Sequence, residues 1–424
     1  MVSRLVRRKS CLFLQFVLIV VFLTGIFYPM PGWGESNKKE KPEKPVASEN
    51  LIKQEATDLS LKKEAQHSID IGLNWLKNKQ NSDGSWSNPD YPAITALVAL
   101  CFLRDPASSL GYRQYPAFLQ NAFKYTLSKV QPDGGIYTPE KGLANYNTSI
   151  CLSSLSATGS PDYATTIQKA RNYLISLQKD EGQKGVADQV YDGGIGYGGK
   201  EPHSDMSNMY LALEALYVSK KPDIDLQGKA LGSQTVESKE LDWQAALRFI
   251  ERCQNNPKTN DQAWASADAD NVGGFIYFPG SSKSDEEKLP NGKTVLRSYG
   301  SMTYAGLLSF IYANLEKDDP RVQSAFDWIR RHYTLEENPG MGQQGLYYNY
   351  HTMAKALSVY GANEIQVEGK KDKINWRKDL IIKLIGLQKG EGAWVNEQGR
   401  WWENDPVLVT AYALLSMEIA LAGY

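Results

Sequence analysis

Eleven residues with chemically useful side chains stand at, or just ahead of, the starts of long apolar runs in this 424-residue chain. They are Asn147; Asp205 and Asn208; Tyr299 and Ser301; Tyr347, Tyr350 and His351; and Trp401, Trp402 and Asp405. His351 is one of only four histidines and sits among tyrosines. An imidazole oriented by a carboxylate such as Asp205 serves as general acid or base near neutral pH. His351, Asp205, Tyr299 and Asp405 are therefore the catalytic candidates. The competing reading is structural: a histidine hydrogen-bonded in the core, and aspartates that cap the helices they precede. Asn147, Asn208, Ser301, Tyr347, Tyr350, Trp401 and Trp402 read as ligand contacts. Aromatic faces stabilise a carbocation by cation–π attraction, and they also stack on sugar rings. Cys101, Cys151 and Cys253 lie in apolar runs without CxxC spacing and read as small buried residues, so the expected chemistry uses no metal and no other cofactor.

These residues need a scaffold, and the pattern of the chain supplies one. A glycine turn carrying an aromatic recurs six times, as Gln80–Trp86, Gln131–Tyr137, Asp192–Tyr197, Asn271–Tyr277, Gln344–Tyr347 and Gln388–Trp394. Before the turns lie amphipathic stretches with apolar residues three and four apart, such as Ile69, Leu73 and Leu76, or Val322, Ala325 and Ile329. After them lie runs that are apolar nearly all round, such as 94–103, 209–216, 304–311 and 407–415. Half-exposed helices alternating with buried ones predict two concentric layers: an all-α (α/α)6 barrel, or toroid, of six helix-pair repeats behaving as one domain. The first turns of the inner helices would then ring one mouth of a central cavity and bring the eleven residues together. A short β-hairpin is expected within 280–296, and a flexible insertion over Gln227–Leu241.

The first turn, Gln80-x-x-Asp83-Gly84-Ser85-Trp86, resembles the QW motif of squalene–hopene cyclases. The whole set, over residues 61–422, resembles the prenyltransferase and squalene-oxidase repeat family. That resemblance implies an α/α toroid with six inner and six outer helices. Two chemistries of the family can be compared residue by residue. Its triterpene cyclases protonate their substrates with an Asp-x-Asp-Asp cluster; Asp268-Ala-Asp270-Asn271 lacks the last aspartate and reads as a loop cap. Its protein prenyltransferase β subunits hold zinc with Asp, Cys and His. Tyr350-His351-Thr352 resembles the histidine segment, but Tyr299-Gly300-Ser301 stands where the other two ligands belong, and neutral hydroxyls hold zinc poorly.

Residues 1–34 pair basic Arg4, Arg7, Arg8 and Lys9 with an apolar stretch, which reads as a signal peptide or an N-terminal membrane anchor. Residues 35–60 read as a disordered charged, Pro-containing linker, and residues 61–424 as the toroid domain. The folded part is thus expected to be exported, periplasmic or extracellular. A formal net charge of -1 leaves no basic surplus for nucleic acid. The expected partner is a small apolar or ring-shaped ligand, an isoprenoid or a glycan. Three functions remain open: a terpenoid cyclase-like protein that binds and transforms its ligand, a non-catalytic scaffold, and a carbohydrate-active α/α barrel.

Overall fold

The structure is a computed structural model that describes residues 46–108, 114–199, 203–220, 238–288, 292 and 294–424. The expected leader, residues 35–45 and most of the Gln227–Leu241 insertion lie outside the described residues. The chain divides into the units Met1–Lys53 and Gln54–Tyr424, and the second carries the architecture.

Among the described residues, twelve α-helices alternate in two kinds. The first kind comprises α1 (Val46–Lys77), α3 (Ala117–Ser128), α5 (Ala164–Ser176), α7 (Trp243–Cys253), α9 (Pro320–His332) and α11 (Trp376–Leu387). The second comprises α2 (Pro92–Arg104), α4 (Ala144–Ala157), α6 (Met206–Val218), α8 (Gly300–Tyr312), α10 (Leu346–Tyr360) and α12 (Pro406–Ala422). The periodicity explains the difference. α9 buries one stripe, Val322, Ala325, Trp328 and Ile329, and leaves Gln323 and Asp327 exposed, whereas α8 is buried at every position but Ile311. The even helices pack on one another in the order α2, α4, α6, α8, α10, α12, and α12 packs back on α2. The odd helices lie against them: α3 on α2, α5 on α4, α7 and α9 on α8, and α11 on α12.

The linker expected over 35–60 is helical from Val46 on, so the predicted boundary near residue 61 falls inside α1. Lys, Glu, Gln and Ala are strong helix formers, and a tertiary anchor holds this end: Asp58 accepts from the Tyr424 hydroxyl (2.5 Å) and from Lys378 Nζ (3.1 Å). The hairpin is present, as β1 (Glu286–Lys288) paired antiparallel with β2 (Thr294–Leu296), Glu286 opposite Leu296.

The glycine turns are joints between an odd helix and the next even one, and their hydrogen bonds repeat. Trp86 is fully buried; its Nε1 donates to the Leu76 carbonyl (2.6 Å) and its backbone N–H to Thr95 Oγ1 (3.0 Å). Trp394 does the same with the Leu384 carbonyl (2.8 Å) and Thr410 (3.0 Å). At three joints a glutamine reaches to the next odd helix: Gln80 Nε2 to the Phe118 carbonyl (2.8 Å), Gln254 Nε2 to that of Arg321 (3.0 Å), and Gln388 Nε2 to that of Ser68 (2.9 Å), which ties the last joint to α1. Only glycine fits the tightest point. Gly193 has φ +81°, and a Cβ there would collide with the Ala245 carbonyl of α7.

Candidate functional site

The N-terminal turns of all six even helices border one cavity of about 320 Å³. Ala93 and Ile94 come from α2, Tyr146 from α4, Ser207 and Asn208 from α6, Ser301 and Met302 from α8, Tyr348 from α10, and Leu408 and Tyr412 from α12. Seven tyrosines line it: Tyr91, Tyr146, Tyr197, Tyr277, Tyr299, Tyr348 and Tyr412. Their hydroxyls are largely spent on one another. Tyr146 pairs with Tyr412 (2.7 Å), Tyr197 with Tyr277 (2.7 Å), and Tyr348 with the Ser207 hydroxyl (3.1 Å). The rings therefore offer apolar faces and edges. Burial pushes the phenols of Tyr146, Tyr277, Tyr299, Tyr348 and Tyr412 up, Tyr146 to about 12, so these five stay neutral.

Trp401 and Trp402 stand at the mouth on the 3-10 turn Arg400–Trp402, 44% and 42% exposed. Both hold left-handed backbone, φ 57° and 65°, a conformation that costs a bulky residue energy and persists only where surroundings impose it. Trp402 meets the Tyr91 ring edge-on at 4.3 Å, and the Trp401 ring lies against the backbone of Gly345. The Arg400 guanidinium lies over the Trp401 ring, 4.4 Å from its centroid.

Of the eleven sequence candidates, Asn208, Tyr299, Ser301, Trp401 and Trp402 border the cavity. Asn147 is a strut instead: its Oδ1 accepts from Ala93 N (3.1 Å) and its Nδ2 donates to the Leu143 carbonyl (3.0 Å), tying α2 to α4. Tyr350 sends its hydroxyl to the Leu335 carbonyl (2.5 Å), and Tyr347 packs edge-on against it; neither borders the cavity. Asp405 caps α12, accepting from Val407 N (2.8 Å), and is held by the Ser87 hydroxyl. The string Asp268-Ala-Asp270-Asn271 is a loop brace, with Asp268 accepting from Asn271 Nδ2 (3.0 Å) and Asp270 N (3.2 Å).

Asp205 and His351 are not brought together. Asp205 caps α6: its Oδ1 accepts from Asn208 N (2.9 Å) and its Oδ2 from Asn208 Nδ2 (2.8 Å). Burial raises its carboxyl from 3.8 to about 6, with the hydrogen bonds from Asn208 and Tyr277 working against the shift. His351 lies one turn further into α10, where its ring faces Tyr412 at 5.6 Å and its Nδ1 has no hydrogen-bond partner. It borders a separate void of about 20 Å³ with Lys355, whose Nζ donates to Glu214 (2.8 Å) and to the Tyr210 hydroxyl (3.1 Å). Burial, then the charges of Lys355 and Arg104, hold the imidazole neutral.

The Asp205 shift has a measurable consequence. Between pH 3.8 and 6 the folded carboxyl keeps a proton that the unfolded one has released, so stability falls as pH rises through that window. The full drop is about 3 kcal/mol. Urea unfolding from pH 3.5 to 7 should show it, and Asp205→Asn, which keeps a capping oxygen, should flatten that part of the curve. A variant with the parental slope would show that Asp205 is not its source.

Sequence reasoning missed Glu403, a buried carboxylate at the cavity wall. It accepts from Tyr347 N (3.2 Å), Tyr348 N (2.7 Å) and Asn396 Nδ2 (2.7 Å), capping α10 from a distant loop. Burial pushes its carboxyl up while those donors pull it back. No sequence signal marks it, because the capped helix begins 57 residues earlier at Leu346. Tyr348 and Tyr412 were missed as well; both line the cavity and the smaller void and so separate the two.

No protein-family model matches the chain, and no curated protein sequence matches it. Solved structures do. An arginine-to-alanine variant of the type II terpene cyclase MstE from Scytonema, in complex with its substrate geranylgeranyl dihydroxybenzoate, superposes with TM-score 0.51 at 12% identity, over 86% of this chain and 100% of that one. A tyrosine-to-phenylalanine variant of the same cyclase without ligand gives TM-score 0.50 at 11% identity, over 86% and 99%. The fold is therefore an all-α, terpene cyclase-like one.

Proposed function

We propose that the chain is a six-repeat α/α toroid of the prenyltransferase and squalene-oxidase repeat kind that binds an isoprenoid-type apolar ligand in its central cavity. The closed packing order of the even helices and the Gln388–Ser68 tie support the toroid. The observation that carries the ligand class is the wall itself: seven tyrosine rings, four of whose hydroxyls pair with one another, two mouth tryptophans, and no lysine or arginine among the lining residues. A site of about 320 Å³ is at the low end for small-molecule pockets and suits a folded polyprenyl chain. The substrate held by the similar cyclase, geranylgeranyl dihydroxybenzoate, carries a geranylgeranyl chain, which agrees with this reading.

Binding is favoured over proton-initiated cyclisation because neither nearby acid offers a free proton to the cavity. Asp205 is covered by Asn208, and Glu403 is engaged by the N-terminal amides of α10. Titration calorimetry of the full chain with geranylgeraniol and with malto- and cello-oligosaccharides tests the reading. Saturable 1:1 binding of the polyprenol alone is expected. Binding of the oligosaccharides alone, or of nothing, would overturn it.

A further inference from the structure

The smaller void gathers charged groups that the tyrosine-walled cavity does not use. It measures about 20 Å³, room for one water-sized species. Arg104 of α2, Glu214 of α6, and His351 and Lys355 of α10 all line it. Tyr348 and Tyr412 divide it from the large cavity, and their hydroxyls are engaged by Ser207 and Tyr146. Lys355 Nζ gives two of its three N–H groups to Glu214 and Tyr210, which leaves one over. Among the described residues the half-buried Arg104 guanidinium has no ion-pair partner. Its chain neighbour Asp105 accepts from Gln66 Nε2 (2.9 Å) and Ala107 N (3.0 Å) instead. His351 is 3% exposed, and its Nδ1 has no hydrogen-bond partner. The lining hydroxyls do not relieve it: Ser149 donates to Asn145 Oδ1 (2.8 Å) and Ser153 to the Ser149 carbonyl (3.0 Å). Two cations thus meet one carboxylate around the void. Glu418 of α12 feels the Arg104 charge, but burial pushes its carboxyl well up, so it stays protonated and adds no charge.

We propose that this void binds one small monovalent anion of chloride size, held by Arg104, Lys355 and the His351 imidazole. The three residues offer a guanidinium, a spare ammonium N–H and an imidazole N–H, all of them donors to an anion. One negative charge balances the surplus cation, which a water cannot do, and in surroundings poor in solvent that balance carries weight. Phosphate and sulfate exceed the space, and a metal cation would meet like charges. Arg104 and Lys355 come from α2 and α10, which are not consecutive in the packing order of the even helices. The anion therefore bridges the ring and stabilises the folded chain by mass action. The site stands apart from the large cavity, so it does not depend on which ligand that cavity takes.

Two measurements on the full chain test this. The first is the thermal midpoint in sodium chloride, sodium bromide and sodium gluconate at equal ionic strength, gluconate being too large to enter. Chloride and bromide should raise the midpoint saturably, by about 2 °C at tenfold excess over the dissociation constant, and gluconate should not. Arg104→Gln should remove the rise, and Arg104→Lys should keep part of it. The second is anomalous scattering from crystals grown in bromide, which should place one ion in contact with Arg104, Lys355 and His351. If Arg104→Gln does not fold, the bromide position and the parental midpoints decide. Equal midpoints in chloride and gluconate, or a rise that survives in Arg104→Gln, overturn the proposal and leave a water as the occupant. Bromide found only elsewhere overturns it too. A bromide peak in the void without a chloride-dependent midpoint marks an adventitious ion only, and it also overturns the proposal.

Discussion

Replacing Met302 by tryptophan is expected to weaken polyprenol binding by about a hundredfold, or ~3 kcal/mol, while leaving the fold in place. Met302 lies in the first turn of α8, and its thioether borders the cavity. An indole there takes up cavity volume beside the lining residues Tyr299 and Ser301. A cavity of about 320 Å³ has no surplus to give up if it is to hold a long chain. The same substitution inside a close-packed core would cost about 1–3 kcal/mol through overpacking. Here the added ring has room, so the thermal midpoint should move little. Calorimetry checks the affinity and scanning fluorimetry the fold. Leu408→Phe, another lining position, gives a milder block from a different helix, α12. Parental affinity in both variants would mean that the ligand binds elsewhere on the molecule.

Trp86→Ala is expected to be the most damaging single change to stability, at about 3–5 kcal/mol. The indole is fully buried at the first joint and satisfies the Leu76 carbonyl at the end of α1. Truncation leaves a cavity and removes one of two donors to that carbonyl, the other being Lys79 N (2.9 Å). Trp86→Phe separates the two contributions, because it keeps most of the buried ring and loses only the hydrogen bond, for a cost of about 1–2 kcal/mol. Trp394→Ala should match Trp86→Ala, since its contacts repeat residue for residue at the last joint. Denaturant unfolding measures all three. A loss below about 1 kcal/mol for Trp86→Ala would contradict the view that these joints hold the odd and even layers together.

Much of this architecture was legible in the residue order because its causes are local. The stripe Val322, Ala325 and Ile329 announces a helix with one buried face, and the unbroken apolar run 304–311 announces one buried on every side. The glycine turns are required by left-handed backbone and close approach, as at Gly193, so they recur wherever a joint recurs. The capping of α6 by Asp205 and of α12 by Asp405 is a contact between residues two or three apart, and the sequence contains it entirely. The early start of α1 was hidden because its Lys- and Glu-rich composition suits both a helix and a solvated linker. The contact of Asp58 with Tyr424 and Lys378, across more than three hundred residues, decides for the helix.

The sequence by itself determined that the even helices exist, where they begin, and that their N-terminal turns carry aromatics and carboxylates. It did not determine which way those turns face. A helix that is apolar all round has no polar face to fix its rotation, and each step along it turns a side chain by about 100°. Tyr347, Tyr348, Tyr350 and His351 are near neighbours in α10, yet only Tyr348 reaches the large cavity, while Tyr350 turns outward to the Leu335 carbonyl and His351 borders the lower void. Tertiary packing sets that phase. It also brings Glu403 to the start of α10, because that contact joins a loop to a helix it meets only once the helices have assembled.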